Sequence, residues 1–112
     1  MKKLLLIALL FLPFLSYSQI VVRYFNADWN AANGVSWCHT NKKGLNDCKV
    51  YKYDIGKDAE SQKKYGVVVV PTIIIFKDGE EVKRFQADVS FKITATRKEI
   101  QDEIDELLME DF

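Results

Sequence analysis

The sequence predicts an α/β domain, a mixed central sheet of about four strands flanked by helices. Three observations carry that expectation. A long β-branched block surrounds Pro71, with no alternation of polar residues, as in a strand covered on both faces. Asp78-Gly79 follows it directly, a dipeptide suited to a tight hairpin. Near the end of the chain, Thr96-Arg97-Lys98-Glu99 matches a capping box and opens a stripe of Ile100, Ile104, Leu107 and Leu108.

The chain has 112 residues, room for one domain. Lys2 and Lys3 precede an apolar run over residues 4–15 that is interrupted only by Pro13. Small residues follow at Ser16 and Ser18, so 1–18 reads as a signal peptide cleaved before Gln19, and 19–112 as the domain. The run is shorter than the ~20 residues a membrane span needs, so no stable membrane insertion is expected after cleavage. The expected location is exported, periplasmic or secreted. The 16 basic and 16 acidic side chains balance, and removing Lys2 and Lys3 leaves a net charge of −2. No basic stripe is present, and no nucleic-acid partner is expected.

Ile20-Val21-Val22-Arg23-Tyr24-Phe25 is β-branched and aromatic and predicts the first strand. Asn26 to Asn33 opens one or two helical turns, in which Ala31, Val35 and Cys38 share an inward stripe and Asp28 serves as cap. Gly34 and the polar stretch that follows keep that helix short. Residues 49–55 predict a second strand, and Asp58 caps a short helix ended by Gly66. The block 67–76 gives the third strand and 82–85 the fourth. Crossovers between the early strands imply parallel pairing, and the hairpin makes the last pair antiparallel.

Local motifs in this order resemble those of the thioredoxin family. Lys64-Tyr65-Gly66-Val67-Val68-Val69-Val70-Pro71-Thr72 resembles its K-Y-G-[IV]-x-x-[IV]-P-T signature, and Phe76-Lys77-Asp78-Gly79 its F-K-[DN]-G hairpin. Phe25-Asn26-Ala27-Asp28-Trp29 is similar to F-W-A-x-W, which leads into the active site. The family then reads C-G-P-C, whereas this chain reads Asn30-Ala31-Ala32-Asn33 after Trp29. Disulfide exchange needs an attacking thiolate and a resolving thiol, and a carboxamide is neither. No catalytic residue is therefore assigned, and no cofactor. The resemblance implies a cis Val70-Pro71 bond, with Val70, Pro71 and Thr72 forming a groove that receives a peptide or protein. It also places Tyr24 where the family has a buried Asp, matches Lys52 to that Asp's Lys partner, and sets Ala87 nearest a Gly of the last strand. Residues 88–95, including Phe91, are several residues longer than the family's connection.

Cys38 and Cys48 form no C-x-x-C. An even count in an exported chain predicts a structural disulfide between them, tying the end of the shortened first helix to the second strand. The competing reading is an atypical thiol-disulfide oxidoreductase using these two sulfurs, and a further one is a monothiol site at Trp37-Cys38-His39-Thr40 with His39 lowering the Cys38 pKa. A lone His39 in a polar loop predicts no metal site. The resulting expectation is an exported, non-catalytic binding or structural module.

Overall fold

The computed structural model describes residues 19–38 and 44–110. The expected signal peptide and His39 lie outside these residues. Strand β1 (Ile20–Asn26) leads into a 3-10 segment (Asp28–Asn33), followed by β2 (Lys49–Asp54) and helix α1 (Ala59–Lys64). A hairpin of β3 (Thr72–Lys77) and β4 (Glu80–Gln86) precedes helix α2 (Arg97–Met109).

The four strands form one sheet in the order β2-β1-β3-β4. β1 and β2 are parallel, while β3 runs antiparallel to both β1 and β4. The parallel pairing expected among the early strands thus stops at β2. The six residues of α1 rise only ~9 Å, too little to return the chain along a six-residue strand of ~20 Å. The chain therefore re-enters the sheet at the same end and descends. The expected third strand also begins late. Residues 67–70 carry no strand pairing, and β3 starts after the cis Val70-Pro71 bond.

Alternation along the two central strands divides the core. Ile20, Val22 and Tyr24 of β1 and Ile73 and Ile75 of β3 face Ile100, Ile104 and Leu107 of α2. Phe25, Ile74 and Phe76 face the other way and meet Val67, Val70 and Tyr65. Every residue from Thr72 to Phe76 is buried, as a central strand covered on both faces requires.

The ends of the elements follow local chemistry. Asp58 accepts from the Ser61 amide at the start of α1. At its end, Gly66 takes φ +61, with Val67 N donating to Gln62 O and Gly66 N to Lys63 O, a Schellman closure. Asp78 and Gly79 both have positive φ, the requirement of a type I′ hairpin. Thr96 Oγ1 accepts from Glu99 N at 3.2 Å and starts α2.

Candidate functional site

The site is assembled where β1 ends, beside the loop before β3. Asn30 interrupts the 3-10 segment with φ −112 and ψ 17, and it is buried. A carboxamide has two N–H bonds to give and an oxygen to receive, and here each end is engaged. Asn30 Nδ2 donates to Asn26 Oδ1 at 3.1 Å and to the Phe91 carbonyl at 3.1 Å. The Val70 carbonyl lies at 3.4 Å from the same nitrogen. On the other side, Asn33 Nδ2 donates to Asn30 Oδ1 at 2.8 Å. Asn26 Nδ2 reaches back to the Asn30 carbonyl and to the Tyr24 hydroxyl. That hydroxyl also accepts from Val35 N at 3.1 Å, and burial pushes the Tyr24 pKa up.

The predicted groove residues meet this network. Val70 and Pro71 are buried, and Thr72 Oγ1 donates to Val69 O at 2.6 Å. Ala87 N donates to Pro71 O, binding the end of β4 to the same loop. Residues 88–92 then fold over the site as a closed turn. The Asp88 carboxylate accepts from Ser90 N, Ser90 Oγ and Lys92 N, and the Ser90 hydroxyl is the leading reason its pKa is depressed. Asp88 N donates to Lys92 O. The turn holds Phe91 at φ +61, a conformation bulky residues rarely adopt. Its ring packs edge-on against Trp29 at 5.2 Å.

Several expectations for the first helix are corrected. Ala31 and Ala32 are exposed, so the inward stripe of Ala31, Val35 and Cys38 does not form. Gly34 is extended (φ −70, ψ 158) and ends the helical turns before such a stripe can develop. Asp28 does not cap the segment. Ala27 holds the cap position without a side-chain bond, and Asp28 pairs with Lys57 at 3.2 Å. Trp29 is 65% exposed, covering Phe91 rather than enclosing the loop.

Tyr24 and Lys52 are register partners on β1 and β2, so the family's Asp–Lys pair is reduced to a Tyr beside a Lys. Cys38 is fully buried in the core and Cys48 packs partly against the same cluster. Both are free thiols in the structure. Burial pushes Cys38 to about 12 and Cys48 to about 11. Neither is a thiolate at neutral pH, the opposite of what a redox nucleophile requires. Among the described residues no group of three His, Cys, Asp or Glu side chains could hold a metal.

Two participants escaped sequence reasoning. Asn26 ends β1 and Asn30 lies in a 3-10 segment, so no helical spacing signalled their contact. The Phe91 carbonyl carried no sequence signal beyond the extra length of its segment.

A family model described as thioredoxin matches residues 15–105. The chain belongs to the thioredoxin family. Among related thioredoxins, that of Bacillus subtilis (strain 168) is 41% identical over 44 residues, 39% of each chain. That of Mycobacterium tuberculosis (strain H37Rv) is 45% identical over 38 residues, 34% of this chain and 33% of that one. These matches therefore span under two-fifths of either relative. A mutant thioredoxin from Halobacterium salinarum superposes with TM-score 0.59 at 23% identity, covering 80% of this chain and 75% of that one. Thioredoxin-2, described as a component of malaria parasite protein secretion machinery, gives TM-score 0.58 at 19% identity, over 80% and 84%. At such identities the likeness is one of thioredoxin fold. Among the described residues no helix is long and apolar enough to cross a membrane.

Proposed function

We propose that this thioredoxin-fold protein is exported and performs no thiol-disulfide exchange, serving instead as a non-catalytic binding or structural module. One observation carries the reading. The side chain at the position of the family's attacking sulfur is a buried carboxamide that bridges Asn26, Asn33 and the Phe91 carbonyl. A group so placed holds the cis-Pro loop and the 88–92 turn together and has no nucleophile to offer. A peptide or protein reaching Val70, Pro71 and Thr72 has to displace Phe91 or dock on the exposed Trp29 and Phe91 rings. The alternative, redox work by Cys38 and Cys48, is opposed by the burial that keeps both sulfurs protonated.

The structure holds both cysteines as free thiols; within this proposal they close into a staple only under the oxidising conditions met on export, contributing about 2–3 kcal/mol by restricting the unfolded chain. Insulin reduction by the purified mature protein tests the absence of exchange chemistry. The expected rate equals the uncatalysed background and is unchanged by Cys38→Ser. Turnover that disappears in Cys38→Ser would establish the oxidoreductase reading instead. Mass spectrometry of the same sample without reductant should show one disulfide and an N-terminus at Gln19. Two free thiols would remove the staple, and retention of residues 1–18 after expression of the full sequence would remove the cleavage before Gln19.

A further inference from the structure

A cavity lies toward the end of β1 opposite Asn26, away from the Asn30 network. It has a volume of about 370 Å³ and is lined by Arg23, Tyr51, Lys64, Tyr65 and Phe76, with Gln19 at its edge. Its size falls in the range of small-molecule sites. The Arg23 guanidinium is held among three rings, with its carbon 5.2 Å from the centroid of Tyr51, 4.8 Å from Tyr65 and 5.2 Å from Phe76. Lys64 Nζ stands 5.3 Å from the Tyr65 ring. Two cations thus share the wall of one aromatic cavity.

Neither cation has a carboxylate partner: among the described residues neither Arg23 nor Lys64 forms an ion pair. The Tyr53 hydroxyl accepts from Arg23 Nη1, but the enclosed Nε has no acceptor at all. A buried donor left without a partner is rare in folded proteins, and one on a charged group is costly. Ring faces offset part of the guanidinium's lost hydration, yet they supply no hydrogen-bond acceptor. What complements this wall of two cations and aromatic surface is an anion with acceptor oxygens, carried on a flat apolar body.

We infer that this cavity binds a monocarboxylate carrying an aromatic or similarly flat apolar group. The carboxylate meets Arg23 and Lys64, and the body lies against Tyr51, Tyr65 and Phe76. A free small acid and the C-terminal residue of a peptide share this chemistry.

Phenylacetate is the probe, titrated into the full mature protein and followed by amide NMR. Saturable shifts at Tyr51, Tyr65 and Gly79, with none for the neutral phenylacetamide, are expected. Lys64→Gln should weaken binding about two- to fivefold, in keeping with an exposed charge. Arg23→Gln should weaken it about tenfold or more, as for a lost charged hydrogen bond. Added salt should weaken binding to the wild type. If Arg23→Gln fails to fold, the Lys64→Gln titration and the acid–amide contrast still decide. A short peptide ending in Phe, with its C-terminus free or amidated, separates the two sources. Tighter binding of the free form than of phenylacetate assigns the site to a chain terminus, and weaker binding assigns it to a free acid. No saturable shift with phenylacetate, equal binding of phenylacetamide, or equally strong binding of inorganic phosphate overturns the inference.

Discussion

At position 30 the surroundings use both halves of a carboxamide. Its N–H bonds point toward carbonyls and its oxygen receives Asn33 Nδ2. An aspartate would keep the acceptors and lose the donors, facing the Val70 and Phe91 carbonyls with negative charge. Asn30→Asp is expected to cost about 2–4 kcal/mol of stability at neutral pH in urea unfolding. The loss should shrink in acid, where protonation restores one donor. A change within about 0.5 kcal/mol at neutral pH would mean the network holds nothing in place. The sequence showed that the sulfurs were missing, because that reading needs only the motif before Asn30. It could not show that Asn30 is buried, since an Asn in a loop reads as solvated and its partners lie up to 61 residues away.

Among the elements, those specified by short-range patterns were legible. The central strand β3 was visible in its unbroken apolar run, and α2 in Thr96 and its stripe. Thr96→Ala removes the acceptor for Glu99 N and should cost about 1 kcal/mol, read as a lower midpoint in thermal or urea unfolding. The direction of β3 was not legible, because it depends on whether a short helix carries the chain back along the sheet. The first helix was misread for a similar reason. Ala31, Val35 and Cys38 have helical spacing, but the backbone leaves the helix at Gly34, where a Cβ would come within 3.1 Å of the Tyr24 hydroxyl. That constraint is tertiary, and periodicity does not register it.

Over the whole molecule, the buried Cys38 and the partly buried Cys48 set a pH dependence. In the folded, reduced protein Cys38 and Cys48 titrate at about 12 and about 11, against an ordinary value of 9.0. The folded state therefore holds these protons more tightly than the unfolded chain. Their contribution is fully present below pH 9.0 and is lost as the pH rises toward 11 and 12. The reduced protein should lose stability over that alkaline range, and Cys38→Ala should flatten the decline. An equal slope in the variant would place the alkaline sensitivity elsewhere, for example on Tyr24, whose pKa is also raised.

If the protein performs no exchange, as proposed, the turn over residues 88–92 is a second obstacle to restoring it. Returning cysteines to positions 30 and 33 supplies two sulfurs, but the Phe91 carbonyl still lies against the first position and its ring stays packed on Trp29. On that reading two changes are needed together, the sulfurs and a shorter turn. Asn30→Cys combined with Asn33→Cys should leave insulin reduction near background, while the same pair with residues 88–92 shortened should raise it. On the proposed reading the insert acts as a latch, keeping position 30 covered whichever side chain stands there.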